Sequence, residues 1–559
     1  MKDSIKAILS EAIERMLEKG AFTASVPLPD WLLETPREEK YGDFAANCAM
    51  QFASVFKTSP KRIANEIISN IEDSEGLLEK VEIAGAGFIN ITVSAKGWRK
   101  ALGAILAGGD EFGKNNSGGG RRVMVEFISA NPTGPLHIGH GRGAIVGDVI
   151  ARILDWNGYS VYREFYVNDA GAQVVNFAKS LYARYREHLG LTGEIPPDGY
   201  LGDYVKEMAA EIYREIGDKY ADSLSDEAFI FFRDEGLKRC LKIIKEDVAL
   251  FGVKFDEYFS EAYLHASGKV KEAVEALLEK GYIYEKDGAL WFRSSEEGDE
   301  KDRVLYKSDG THTYLASDIA YHKNKLDRGF DWLINIWGAD HHGYIARVNG
   351  AIKALSGRDD ALEVVLVQMV NILKDGEPIK SSKRAGTFET LRDLIQEVGA
   401  DAARFYFIMR AANAPLDFDI ELAKKKSQDN PVYYVQYGHA RCASILKKAR
   451  ETGYEPPPFT EDGVQALELK EEFELVKKLL EFPETVESAG KKLAPHSIVY
   501  YLTETIALFH SYYTKYKDSE KIVSDDAGKT NARLLLTLAL KQVLSNGLSL
   551  LGVSAPESM

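Results

Sequence analysis

From Arg121 onward, short runs rich in β-branched and aromatic residues alternate with helical patterns: "RVMVEFI", a helix through "GAIVGDVIARILDWNG", then "SVYREFYV", "DWLINIW", the helical "GYIARVNGAIKAL" and "EVVLVQMV". This alternation leaves few folds open, because parallel neighbouring strands need a connection long enough to be a helix. A parallel sheet with crossover helices is expected. Between about 175 and 275 strand-like runs stop and charged helical periodicity takes over, predicting a helical insertion. The sheet resumes after "GYIYEKDGALWFR", a hairpin with Asp287-Gly288 at its turn. Beyond about 385 strand-like runs become scarce, and segments such as "ETLRDLIQEVGADAARFYFIMRA" and "NARLLLTLALKQVLSNGLSLLG" predict a helical bundle. Ahead of the sheet, Ile5, Ile8, Leu9, Ile13, Met16 and Leu17 share helical spacing, "AGAGFINITV" reads as a turn and a strand, and "GGDEFGKNNSGGGRR" as a linker.

At 559 residues the chain exceeds one hydrophobic core, so three or four domains are expected. A net charge of -15 excludes nucleic-acid binding by bulk charge; an RNA partner would be held by local patches. No uninterrupted apolar run approaches the roughly 20 residues that span a bilayer. The three cysteines, Cys48, Cys240 and Cys442, form no C-x-x-C pair, which disfavours a zinc or disulfide framework and predicts a cytoplasmic setting.

Two loops carry the chemistry. "NPTGPLHIGHG" follows a strand and opens a helix, the place where parallel sheets bind ligands. Gly139, Gly141 and Gly143 would let a ligand approach the backbone, the helix start offers unpaired N–H groups, and His137 and His140 can donate to phosphoryl oxygens. An H-x-x-H metal site lacks a third ligand nearby and ranks below the phosphate reading; a pair of surface histidines is the remaining alternative. The second loop, "NILKDGEPIKSSKRAGTFETL", sets Lys380, Lys383 and Arg384 beside two serines, ahead of a helix expected near Thr387, and is either a clamp for polyphosphate or a solvated basic turn.

Together these loops resemble the two signatures of class I aminoacyl-tRNA synthetases. The first is intact at His137-Ile138-Gly139-His140; the second, Lys380-Ser381-Ser382-Lys383-Arg384, departs from K-M-S-K-S at the Met and at the last Ser. Five further phrases in order, "EFISANPTGPLHIGHGRGAIVGD", "FYVNDAGAQ", "SDGTHTYLASDIAYHKNK", "IWGADHHGYIAR" and "NPVYYVQYGHARCASI", resemble arginyl-tRNA synthetases over nearly the whole chain. The resemblance implies an α/β Rossmann-like parallel-sheet catalytic domain with a helical insertion, an α+β N-terminal domain and a C-terminal all-α helical bundle. The boundaries expected are 1–115 for an N-terminal domain against the outer corner of tRNA, 119–385 for the catalytic domain, 386–424 for a helical stem-contact region, and 425–559 for the anticodon-binding domain.

By the same resemblance His137, His140, Lys380 and Lys383 are catalytic. Gly139, Gly338, Asp340, His341 and Arg384 hold ATP. Glu126, Tyr314 and Asp318 surround the arginine side chain, with Asn131 nearer its α-amino end. Asn168, Asp169 and Gln173 either reach the ligand or cap a turn, and His342 is structural. Lys424, Lys425 and Lys426 with Tyr433, Tyr437 and Arg441 supply the cations and aromatic faces that unstacked RNA requires, while Tyr434 packs the bundle core. The implied activity is an arginine–tRNA ligase: arginine, ATP with Mg²⁺ on its phosphates, and tRNA(Arg) are its partners, no protein-held metal is expected, and the enzyme is expected to be a cytoplasmic monomer without membrane contact. The alternatives are a class I enzyme for another amino acid, a tRNA-free nucleotidyltransferase, or a synthetase-like RNA-binding protein without activity.

Overall fold

The computed structural model describes residues 1–23, 26–378 and 390–559. Its organising element is a five-stranded, wholly parallel sheet. In spatial order the strands are Leu362–Val367, Trp332–Gly338, Arg122–Glu126, Ser160–Val167 and Glu257–Ser260. The first of these five strands along the chain, Arg122–Glu126, therefore lies between the second and the fourth. The connections leave it in opposite directions and open a crevice at its carboxyl end, where ligands of such sheets bind. Its residues Val123, Met124 and Val125 are fully buried, as a strand covered on both faces must be.

The strand Glu257–Ser260 lies inside the stretch read as strand-free. Only four residues long and at the sheet edge, "EYFS" carries too little pattern to stand out between helices. The helices before it, Ala172–His188, Asp203–Ile216 and Asp226–Leu250, build a core of their own around Phe177, Leu181, Tyr185, Ile212 and Phe232. The hairpin Ile283–Lys286/Ala289–Phe292 turns through Asp287 and Gly288, both with positive φ, and pairs with Arg303–Tyr306 in a separate antiparallel sheet.

Residues 1–93 form a four-stranded antiparallel sheet, Leu33–Glu34, Phe44–Ala46, Phe88–Val93 and Leu78–Ala84 in spatial order, with helices including Lys2–Glu18. That first helix buries Ile5, Leu9, Ile13 and Met16, the stripe that its spacing predicts, while Ile8 and Leu17 flank it half-buried. The Gly/Asn stretch read as a linker is pinned: Asn115, Gly118 and Gly120 donate to the carbonyls of Trp156, Asn157 and Gly158 at the end of the histidine helix. Backbone donors in a segment pressed against the fold need partners, and here the helix end supplies them.

The C-terminal helices Pro431–Glu451, Lys470–Leu480, Phe482–Lys491, His496–Tyr516 and Ala527–Leu551 pack as a bundle. The last is long and apolar enough by composition to cross a membrane, but most of its surface is buried by the other helices and by Ala95–Gly108. One strand, Leu416–Asp419, precedes the bundle and pairs in parallel with Val370–Lys374. The helix expected near Thr387 is described from Leu391; Thr387 lies outside the described residues. Thr390 caps it, donating its N–H to Asp393 Oδ2 and accepting from the Asp393 N–H, each at 3.1 Å.

Candidate active site

At the carboxyl end of the central strand, the chain passes through Ile128 (φ 69°) and Ser129 (φ 45°), both in the left-handed region. A β-branched residue there costs on the order of 1–3 kcal/mol, so the surroundings must hold it. Ser129 does so: its hydroxyl donates to Glu126 Oε1 at 2.8 Å and accepts from the Tyr166 N–H at 3.2 Å. Asn131 follows and donates its amide to Gln173. The loop then feeds the helix Ile138–Trp156, with His137 as its N-cap.

The two histidine rings lie 3.7 Å apart, centroid to centroid. The His137 N–H donates to His140 Nδ1 at 3.3 Å, which leaves Nε2 as the protonated nitrogen of His140. Burial, with His137 next to it, pushes His140 down to about 4, and burial lowers His137 also. Neutral imidazoles therefore face the crevice at neutral pH, as hydrogen-bond donors without full charge. Gly139 is exposed and nothing stands within 4 Å of a Cβ built on Gly143, so both leave the backbone open. Gly141 does not: a Cβ there would meet Leu391 Cδ1 at 2.7 Å and Phe407 at 3.0 Å. Its role is close helix packing rather than ligand approach.

Lys380, Lys383 and Arg384 lie outside the described residues, as does most of their loop. Its described flanks are tied to the histidine loop, for Thr390 forms a backbone bridge with His137 and the Leu391 N–H donates to the Leu136 carbonyl at 2.8 Å. On the far side, Arg142 is fully buried and donates to the carbonyls of Gln368, Ala411 and Ala414 at 2.8–3.0 Å, fixing the histidine helix to the root of the Val370–Lys374 strand.

The neighbouring strand Trp332–Gly338 ends in the turn Ala339–Tyr344. A Cβ on Gly338 would come within 2.5 Å of Asp340 Oδ1, so glycine permits Asp340 to fold back. Asp340 and His341 are exposed and 3.4 Å apart at the crevice rim. His342, read as structural, is exposed on the same turn.

The carboxylates have unequal roles. Glu126 is buried and already matched: Lys325, itself wholly buried, donates to its Oε2 at 2.6 Å. Although burial alone would raise the Glu126 carboxyl, Lys325 and Ser129 hold it below its ordinary value. Two of the roughly four acceptor sites of the Glu126 carboxylate are thus taken by Lys325 and Ser129, so it has less to offer a guanidinium than a free carboxylate. Asp318 differs. Among the described residues only the Tyr344 hydroxyl donates to its side chain, at 2.6 Å. Burial, aided by the charges of Glu126 and Glu261, pushes its carboxyl up to about 7. Tyr314, one turn earlier on the helix Tyr314–Asp327, is 81% exposed and leaves a free aromatic face above it.

Glu261 escaped the sequence reading, because an acid at the start of a helix reads as a cap. It is buried at the end of the edge strand, 3.2 Å from His265 Nε2. Asn168, its amide nitrogen turned toward the acid, donates to Glu261 Oε2 at 2.7 Å. Asp169 resolves as a cap, accepting from Ser260 Oγ at 2.6 Å and the Ala262 N–H at 2.8 Å. Gln173 serves Asn131. Glu261 thus lies near enough for its charge to raise Asp318, Tyr344 is bonded to Asp318, and Tyr314 begins the helix that carries Asp318.

In the bundle, Tyr433, Tyr437 and Arg441 fall on one helical stripe. The two tyrosines stack at 5.9 Å, and the Arg441 guanidinium lies 5.0 Å from the Tyr437 ring and 4.8 Å from Tyr513. Tyr434 packs against the core. Lys425 and Lys426 are exposed, whereas Lys424 is engaged with Glu397 and Glu421.

Comparison with known proteins gives three family matches along the chain: an arginyl tRNA synthetase N-terminal domain at 3–93, a class I (R) tRNA synthetase catalytic domain at 101–410, and a DALR anticodon binding domain at 435–559. An arginine–tRNA ligase of Desulfosudis oleivorans is 50% identical, covering 100% of both chains. That of Bacillus subtilis is 45% identical over 100% of this chain and 99% of its own. In fold, Thermus thermophilus arginyl-tRNA synthetase superposes over 100% of both chains with a TM-score of 0.73 at 21% identity.

Proposed function

This chain belongs to the class I arginyl-tRNA synthetases, and from that premise we propose how its residues divide the work of an arginine–tRNA ligase. Its partners are arginine, ATP and tRNA. Arginine would lie with its guanidinium between Asp318 and Glu261, its side chain under Tyr314, and its α-amino end toward Asn131. Glu126 lines the inner wall without taking the guanidinium. The arginine carboxylate attacks the α-phosphorus of ATP, the bond to pyrophosphate breaks, and the 2′-hydroxyl of the terminal adenosine of tRNA(Arg) then takes the arginyl group as AMP leaves.

The chemistry is positioning and charge stabilisation rather than covalent catalysis. His137 and His140 donate to the reacting phosphoryl group, Gly139 admits it to the helix start, and Gly338, Asp340 and His341 border the adenosine. Lys380, Lys383 and Arg384 stabilise the departing pyrophosphate. Mg²⁺ enters with ATP as part of the substrate; among the described residues no group of three or more His, Cys, Asp or Glu side chains is placed to hold a metal. We assign 1–115 to the outer corner of tRNA, 119–385 to catalysis, 386–424 to the acceptor stem and 425–559 to the anticodon. There the Tyr433–Tyr437–Arg441 stripe offers stacking faces and Lys424, Lys425 and Lys426 meet phosphates. The enzyme works as a cytoplasmic monomer away from membranes.

The observation that carries this reading is a half-buried carboxyl, Asp318, within the field of Glu261, in a sheet domain whose first helix opens on two histidines held neutral. Its test is charging of total tRNA with arginine, lysine and citrulline. Citrulline sets a carbonyl oxygen against a carboxylate, and lysine cannot span two acceptors in a planar fork. Both should be rejected by as much as roughly 10⁴–10⁵. Comparable charging of any other amino acid refutes the pocket.

A further inference from the structure

Beneath the arginine pocket lies a chain of wholly buried polar groups with a fixed direction. Lys325 Nζ donates to Glu126 Oε2 at 2.6 Å and to Asn335 Oδ1 at 3.1 Å, and lies 4.3 Å from the centroid of the Tyr321 ring. With its oxygen so engaged, Asn335 presents its amide nitrogen to His322 Nε2 at 2.7 Å. That nitrogen must accept, so the His322 proton resides on Nδ1, which donates to the Asp318 carbonyl at 2.7 Å. Lys325 and Asn335 are 0% exposed and His322 3%. One ammonium thus addresses both walls of the pocket: the Glu126 side chain directly, and the backbone of Asp318 through two neutral links.

We propose that Lys325 is a positioning residue for arginine selection, which withdraws Glu126 from competition for the guanidinium and sets Asp318 through Asn335 and His322. The inference rests on the pocket assigned above. Without the ammonium, the Asn335 oxygen loses its donor, the amide is free to reverse, and the His322 tautomer is no longer dictated. Glu126, uncompensated, would draw a cation inward, away from Asp318 and Glu261. A partly satisfied buried network is worse than an apolar one, so the loss of Lys325 also threatens the fold.

The test therefore uses a pair of substitutions. Lys325→Met is compared with Glu126→Gln and with the double variant, reading kcat, the KM for arginine, the KM for ATP and the melting temperature. The double variant removes both buried charges, and its melting temperature should lie above those of both single variants, each of which leaves one buried charge without its partner. Its KM for arginine should nevertheless stay at least tenfold above that of Glu126→Gln, with the KM for ATP within twofold, because the Asn335–His322 link to Asp318 remains unset. If the double variant has the arginine KM of Glu126→Gln, Lys325 is only a counter-ion and the proposal is overturned. If Lys325→Met alone does not fold, the double variant still decides. Asp318→Asn, measured in parallel, separates the premises: an unchanged arginine KM there refutes the pocket itself, whereas a raised one beside a fully restored double variant refutes Lys325 alone.

Discussion

Arginine binding should release a proton, and Asp318 should be its source. Its carboxyl, half-buried and near two other acids, is pushed up to about 7 from its ordinary 3.8. A guanidinium in contact favours the ionised form, so the complex forms from the deprotonated fraction only. That fraction is about one in eleven at pH 6 and about ten in eleven at pH 8, so the apparent affinity should weaken roughly tenfold on going from pH 8 to pH 6. The sign for stability is consistent: a carboxyl with a raised folded pKa contributes stability below about 4 that is lost as pH rises through about 7. Its cost at pH 8 is at most ~4 kcal/mol, and less to the extent that water reaches it. The assay is calorimetric titration of arginine at pH 6, 7 and 8 in buffers of different ionisation enthalpy, which counts protons directly. His140 and His322, pushed down to about 4 and about 3, do not titrate in this window. Asp318→Asn isolates the contribution of this carboxyl, and should bind arginine weakly with no slope from this source. Equal affinity of the wild type at pH 6 and pH 8, or a slope that survives in the variant, refutes the reasoning.

Lys383→Ala should slow adenylate formation by roughly two to three decades while arginine binding is kept, since the residue acts on phosphates; single-turnover rates and a binding titration check it. Gly141→Ala should destabilise by ~1–3 kcal/mol through the contacts with Leu391 and Phe407, read from denaturant unfolding; an unchanged midpoint shows that the helix yields there instead. Arg441→Ala with Tyr437→Ala should raise the KM for tRNA with little change for ATP, base stacking being worth about 1–3 kcal/mol per base; an unaltered tRNA KM places the anticodon elsewhere.

The parts of the molecule visible in the sequence are those where one residue type recurs at a fixed interval or a loop must take one shape. The buried strand "RVMVEFI", the Asp287-Gly288 turn and the stripe Ile5, Leu9, Ile13 and Met16 are of this kind. What stayed hidden depends on contacts between distant segments. Glu257–Ser260 is a strand because Ser160–Val167 lies beside it, not because four residues say so. Lys325 sits among Lys323, Asp327 and Arg328 in a helix that looks evenly charged; only its phase against the sheet shows that it alone of these is wholly buried, 2.6 Å from an acid 199 positions earlier. For the same reason the pairing of Glu126 with Lys325 is invisible from the neighbourhood of Glu126.

The buried helix Ala527–Leu551 bears on how the molecule is made. It is synthesised after the other helices of the bundle, yet it packs against Pro431–Glu451, Lys470–Leu480 and Ala95–Gly108, and the carbonyl of its last residue, Leu551, takes a hydrogen bond from Arg404 Nε at 2.9 Å. Arg404 also joins Asp148 on the histidine helix. Until this helix is made, the bundle exposes the apolar surfaces it will cover, and a helix near residue 100 waits for a partner more than 400 positions away. Contacts of such separation close slowly. A nonsense or frameshift change within the codons of Ala527–Leu551 should therefore yield aggregated protein rather than a shortened, still soluble chain.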